Sequence, residues 1–241
     1  MELVYPPVIL ACKTMFRVLD MRLELKGTEH IPRTGGAVLA CTHVSYLDFI
    51  FCRLAGLPAK RKTRFMAKQA VFRNRISGPL MRGMRHISVD RAAGQASYQQ
   101  AVTALRAGEV VGVFPEATIS RSFTVKPIKS GATRMAAEAG VPLIPVTVWG
   151  SQRLWTKGRP RDLTKRHVPI LIRVGEPVHP GADDDGEALT QDLRTRMSAL
   201  LDQAQRDYPA TPEPGTDPWW LPAHLGGTAP TPEEAAALDV H

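Results

Sequence analysis

His43 and Asp48 stand five positions apart, just after an apolar run, Gly36–Thr42, that reads as a short strand. A histidine there falls on a strand-to-helix turn, at the carboxyl edge where open α/β sheets place their ligands. Asp48 falls in the first turn of the following helix, within reach of the imidazole. A carboxylate on one ring nitrogen fixes the tautomer and stabilises the imidazolium, leaving the other nitrogen as a general base. Taken alone, this spacing suits a satisfied polar pair capping the helix better than a catalytic dyad. Cys41, two residues away, reads as a core residue.

Two further blocks repeat the pattern of a polar group at a strand end, and a third marks a strand start with prolines. In Val110–Ser120, Pro115 stops a strand, Glu116 projects a carboxylate, and Thr118 and Ser120 offer hydroxyls. Gly83–Arg91 brings an arginine, Arg91, to another strand end. Val141-Pro142 and Pro145 flank the start of a buried strand.

These groups need a scaffold, and the apolar periodicity supplies one. Strands are expected at 36–42, 64–67, 86–89, 110–114, 143–149 and 170–174. Helices are expected at 47–55, 93–106, 133–139 and 187–206. Alternating β and α segments of this kind imply an α/β fold: a mostly parallel sheet covered by helices. Residues 8–25 read as an N-terminal amphipathic helix, with Val8, Cys12, Met15, Leu19 and Leu23 on one face, although Arg22 blurs the pattern. From Tyr208 onward seven prolines forbid regular structure over most of the segment. Its Trp219-Trp220-Leu221 run should dock on the body, with a short helix near 233–238.

The chain has 241 residues and a formal net charge of +8. All 31 basic residues and 18 of the 23 acids lie in 1–207, so that part carries +13, while the rest is acidic. Eleven Lys and Arg fall between Arg53 and Arg91 against one acid, Asp90. Such a field attracts phosphates. With 6% aromatics and no zinc-finger or basic-zipper pattern, nucleic acid is not the expected partner. The basic stretch is interleaved with Phe65, Met66, Val71, Phe72, Ile76, Leu80, Met81 and Met84, which suits contact with an anionic membrane surface. The alternative is a solvated basic face with those apolar residues in the core. No stretch is long and apolar enough to span a bilayer, and neither a secretory signal, a disulfide framework nor a metal pattern is expected.

Together the blocks resemble the glycerolipid acyltransferases typified by 1-acylglycerol-3-phosphate acyltransferase, over roughly Gly27 to Pro177. His43 and Asp48 match the family's His-x4-Asp block, and Arg91 ends the second. Phe114, Pro115, Glu116, Thr118 and Ser120 match the third, and Val141-Pro142 with Pro145 the fourth. Three departures stand out. Ala117 replaces a glycine, Ile119 replaces an arginine that in the family helps hold the acceptor's phosphate, and Thr42 precedes the histidine where Asn or Ser is usual. Arg121, Lys126 and Lys129 are candidates to replace the missing charge.

The resemblance implies transfer of an acyl group from acyl-CoA or acyl carrier protein to lysophosphatidic acid, giving phosphatidic acid, with no metal or other cofactor. His43 would be the base and Asp48 its partner. Arg91 would hold phosphate with Arg121 or the lysines, Glu116 would orient the acceptor, and Phe65–Met84 would line an acyl channel. The implied organisation is a membrane-surface helix (1–26), an acyltransferase domain (27–207) and a Pro-rich acidic arm (208–241), attached peripherally to the cytoplasmic face of the cell membrane. Another acceptor, or a non-catalytic membrane-binding module, are the competing readings.

Overall fold

The structure, a computed structural model, describes residues 4–90, 94–181 and 183–239. Runs such as Ala37–Cys41 and Leu143–Trp149 are apolar without alternation, so they can be satisfied only with both faces covered. They form the centre of a seven-stranded sheet in the order β1-β7-β6-β2-β5-β3-β4. The strands are β1 (Arg22–Lys26), β2 (Ala37–Cys41), β3 (Thr63–Lys68), β4 (Ile87–Val89), β5 (Val110–Val113), β6 (Leu143–Trp149) and β7 (Pro169–Val174). Every residue of β2, β5, β6 and β7 is buried. All neighbouring pairs run parallel except β6 and β7.

Helices cover both faces. On one lie α1 (Tyr5–Val18) and α2 (Asp48–Leu54), whose Phe16 and Phe51 stack at 5.3 Å between ring centroids. On the other lie α5 (Gly94–Arg106), α6 (Gly131–Ala139) and α7 (Gly186–Arg206), with Trp149, Leu193 and Met197 in the core beneath. Two short helices, α3 (Gln69–Arg73) and α4 (Ser77–Gly83), link β3 to β4.

One expected element is corrected. The helix read over 8–25 ends at Val18, and Arg22–Lys26 is instead edge strand β1, parallel to β7. Asp20 adopts a left-handed φ of 47° that breaks the helical path. Beyond it Arg22, Leu23, Glu24, Leu25 and Lys26 alternate exposed and half-buried, a period of two that belongs to a strand. That is why Arg22 blurred the helical pattern. Within α1, Val8, Cys12 and Met15 are half-buried, and the large apolar side chains of Leu10 and Val18 are left outside.

The Pro-rich segment packs on the body. Trp220 is buried and meets Tyr208 edge-on at 5.5 Å, with the Arg153 guanidinium 4.5 Å from its ring centre. The segment ends in α8 (Pro232–Leu238), where the Thr231 hydroxyl accepts from the Glu234 N–H and the Glu234 carboxylate accepts from the Thr231 N–H.

Gly112 of β5 is paired with Phe65 of β3, and the Phe65 ring lies over its Cα. A Cβ at 112 would meet that ring at 2.5 Å. Gly112→Ala should therefore force the ring aside and cost about 1–3 kcal/mol. Thermal unfolding should show a melting temperature several degrees lower.

Candidate active site

Because β2, β5 and β6 run parallel, their carboxyl ends open on one edge of the sheet. His43 follows β2, Phe114-Pro115-Glu116 follow β5, and Gly150-Ser151 follow β6. The three loops converge there.

Asp48 is fully buried at the start of α2 and turns back onto the loop before it instead of capping its own helix. Its Oδ2 accepts from the N–H groups of Val44 and Ser45, both at 2.7 Å, and stands 3.2 Å from His43 Nδ1. Oδ1 accepts from the Ser151 hydroxyl at 2.6 Å. Four donors and the helix N-terminus together stabilise the buried carboxylate. Since the carboxylate can only accept, Nδ1 carries the ring proton and Nε2 presents a lone pair. The ring is one-fifth exposed and stacks on Phe114 at 4.2 Å between centroids. Phe114 stacks in turn on Phe65 at 5.7 Å, and the His86 ring lies 6.0 Å beyond.

The backbone of His43 is held from both sides. Its N–H donates to Glu116 Oε1 at 2.8 Å, and its carbonyl accepts from the Ser120 N–H at 2.8 Å. Glu116 Oε2 accepts from the Lys126 N–H at 3.0 Å. Burial pushes the Glu116 carboxyl up to about 8, against the opposite pull of the Lys126 and His43 N–H donors. The group is thus suited to hold the loop by hydrogen bonds more than to act as a fixed charge.

The loop between β2 and α2 is laced to residues 151–156. The Ser45 hydroxyl donates to the Trp155 carbonyl at 2.6 Å, and the Thr156 hydroxyl donates to the Val44 carbonyl at 2.7 Å. Thr42 and Thr147 hydroxyls bond at 2.7 Å across β2 and β6. Here the threonine where Asn or Ser was expected serves the sheet, beneath the dyad.

Beside the dyad lies a cluster of positive charge. Arg121 and Lys126 come from the loop that holds His43, and Lys157 from the segment that holds Asp48. All three surround the carboxylate of Asp239, just past α8. Lys157 Nζ lies 2.5 Å from Oδ1, Lys126 Nζ pairs with Oδ2, and Arg121 Nε stands 3.5 Å from Oδ1. The Arg121 Nε is buried and makes no hydrogen bond. Gly158, at φ +81°, lets the guanidinium lie close: a Cβ there would meet Arg121 Nη1 at 2.2 Å.

The residues singled out from sequence are thus sorted. His43, Asp48 and Glu116 come together, and Arg121 joins the adjoining cationic cluster. The Ser120 hydroxyl is taken up by the Thr124 carbonyl at 2.7 Å, so this residue shapes the loop. Thr118 is half-buried on that loop. Lys129 closes the loop through its N–H on the Pro115 carbonyl at 3.0 Å, with its side chain exposed. Arg91 lies outside the described residues. Ile119 is buried, so its position contributes no charge.

Sequence reasoning passed over Ser151, although the rule that flagged His43 and Glu116, a polar residue just past a strand, applies to it equally. Lys157 and Asp239 carried no such local signal. Among the described residues no group of three or more His, Cys, Asp or Glu could hold a metal ion.

A buried carboxylate on Nδ1 of a histidine, at the carboxyl edge of a parallel sheet, is an arrangement that can serve general-base chemistry. A family model described as Acyltransferase matches residues 22–149. A 1-acyl-sn-glycerol-3-phosphate acyltransferase of Bacillus subtilis (strain 168) is 29% identical over 201 residues, covering 77% of this chain and 94% of its own. One of the same name from Limnanthes douglasii is 28% identical over 201 residues, covering 82% and 67%. The crystal structure of the 1-acyl-sn-glycerophosphate (LPA) acyltransferase from Thermotoga maritima shares the fold, with a TM-score of 0.69 at 23% identity, over 82% of this chain and 78% of its own. The chain belongs to the acyltransferase family.

Two outcomes follow for the site. Ser151→Ala removes one donor from a buried carboxylate, a bond to a charged group worth about 1.5–3 kcal/mol. Steady-state kinetics should show kcat down by roughly tenfold, with the substrate KM little changed. Ala117 holds a left-handed φ of 61°, a conformation that costs a non-glycine residue about 1–2 kcal/mol. Ala117→Gly should raise the melting temperature by a few degrees, the strain relieved outweighing the added freedom of the unfolded chain.

Proposed function

We propose that this protein acylates the free hydroxyl of 1-acylglycerol-3-phosphate from an acyl thioester, acyl-coenzyme A or acyl carrier protein, to give phosphatidic acid. The observation that carries the reading is the buried Asp48 carboxylate on His43 Nδ1, which leaves Nε2 to act as base. The names of the relatives support the choice of acceptor. As the acceptor oxygen attacks the thioester carbonyl, Nε2 takes the hydroxyl proton and Asp48 stabilises the imidazolium. The tetrahedral intermediate then expels the thiolate, which takes the proton back from Nε2. Every proton and electron pair is accounted for without a metal or further cofactor, and the carboxylate need not change its charge. Arg121, Lys126 and Lys157 are proposed to hold the acceptor's phosphate, taking over from the arginine that Ile119 replaces, and Arg91 remains a candidate for the same role.

A small apolar cavity of about 40 Å³ lies between α1 and α2, lined by Val8, Ile9, Cys12, Phe49, Ile50 and Met84 among others. It has room for about three waters and is proposed only as the closed start of an acyl channel, which α1 and α2 would have to part to open. Of the stretch expected to line it, Phe65–Met84, only Met84 does so. Phe65, Phe72 and Met81 are core residues, whereas Val71, Ile76 and Leu80 are exposed. With Leu10 and Val18 of α1 outside as well, amid the exposed Lys13, Arg17, Arg73 and Arg75, these residues suit peripheral attachment to an anionic leaflet, on the cytoplasmic face. No helix among the described residues is long and apolar enough to cross a membrane.

The test is thiol release from palmitoyl-coenzyme A with 1-acylglycerol-3-phosphate. Acceptor-dependent release should fall on the order of 10²–10⁴-fold in His43→Ala. Release with glycerol 3-phosphate or a lysophospholipid alone would keep the chemistry and change the acceptor. Silence with every acceptor and donor, from a folded protein that binds vesicles, would overturn the reading in favour of a binding module.

A further inference from the structure

The cationic cluster beside the dyad is already occupied, and its occupant belongs to the chain itself. Arg121, Lys126 and Lys157 come from two different loops, yet all converge on one carboxylate, that of Asp239. That carboxylate is delivered by a built arm. Trp220, Ala229 and Ala235 are buried against the body, and α8, though only seven residues long, is closed at its start by a reciprocal capping box. Gln152, next to the Ser151 that holds Asp48, donates from its side-chain amide to the Trp220 carbonyl at 3.3 Å. The arm is therefore anchored on the site's own framework, and its last described residue lies on the cations.

The cluster is joined to the loop that carries His43. Lys126 donates from its backbone N–H to Glu116 and from its ammonium to Asp239, and Glu116 holds the His43 N–H. The path from Asp239 to the base thus runs through two residues. Burial alone would raise the Asp239 carboxyl, but the hydrogen bonds and charges of Lys126 and Lys157 outweigh it and hold it down at about 2. One carboxylate neutralises one of three cations. The local balance stays positive, so a phosphate monoester carrying up to two negative charges could displace it.

We propose that Asp239 is an internal stand-in for the acceptor's phosphate: the arm covers the cationic site in the resting protein and must give way when the phosphate-bearing alcohol binds. The inference rests on the reading of Arg121, Lys126 and Lys157 as the phosphate site. On this account the arm lowers apparent acceptor affinity by the fraction of time it is docked, and leaves the proton transfer at His43 untouched. It raises selectivity as well, because an uncharged acceptor gains nothing in exchange for displacing Asp239.

The experiment compares the full chain with Asp239→Ala, Asp239→Asn and the double variant Asp239→Ala/Lys157→Ala, each checked for an unchanged fold by thermal melting. KM for 1-acylglycerol-3-phosphate and kcat are measured at fixed acyl-coenzyme A. If the arm is docked about nine-tenths of the time, removing the carboxylate should lower the acceptor KM by roughly tenfold with kcat little changed. Both Asp239 variants should agree, since the charge is what matters. Lys157→Ala made in the Asp239→Ala background, where no arm contact is lost with it, should raise KM above that of Asp239→Ala. In the wild type, saturating glycerol 3-phosphate should speed amide exchange in residues 232–238.

An unchanged or raised KM in both Asp239 variants, with KM higher again in the double variant, would overturn the inference while leaving the phosphate site intact. A double variant with the same KM as Asp239→Ala would instead remove the site reading on which it rests, and the inference with it.

Discussion

The structure of the site depends on one fully buried carboxylate that never has to leave its partners. Asp48 gathers two backbone N–H groups, a hydroxyl and an imidazole from residues that otherwise have no reason to meet. A buried charge is tolerated only when its lone pairs are filled, so the donors are as constrained as the acceptor. The turn at 43–45 must wrap the carboxylate, and the loop after β6 must bring Ser151 to it. The segment 151–156 is then pinned against the turn by Ser45 and Thr156. Removing the carboxylate would release the base and also leave four donors facing one another.

A second tier of contacts acts through the backbone of His43. Glu116 and Ser120 grip its N–H and carbonyl while Phe114 supports the ring, so the loop after β5 sets both the height and the tilt of the base. That loop includes Ala117 in a left-handed conformation and carries Arg121 and Lys126 outward. Positioning of the base and gathering of positive charge are therefore two ends of one short segment. Ile119, where the family has an arginine, is buried in this loop, and Arg121 two residues on meets Lys126 and Lys157 around the Asp239 carboxylate.

Much of this was legible in the sequence, because local rules govern it. Unalternating apolar runs marked the buried strands, and polar residues just beyond them marked the edge where the site lies. His43, Asp48 and Glu116 were found on that basis. The reading failed where a tertiary partner decided the outcome. Leu23 fits the helical stripe of 8–23 and a strand face equally well, and pairing with β7 chose the strand. Phe65 and Ile76 look alike within a basic stretch, yet one is packed over Gly112 and the other stands in solvent. Ser120 has the chemistry of a ligand-binding residue, but the Thr124 carbonyl takes its proton. Lys157 and Asp239 meet across 82 positions of chain, a distance over which no spacing rule reaches.

The correction of the first helix has a mechanical meaning. Three residues, Leu19–Met21, separate α1 from a strand hydrogen-bonded along its whole length to β7. The helix is not a tether that could swing while the body tumbles beneath it; it is fixed to the sheet like a keel to a hull. Whatever surface meets Leu10 and Val18 meets the rest of the molecule at a set angle. The height of His43 above that surface is then decided by the fold, since neither the helix nor the loop after β2 is free to shift against the sheet.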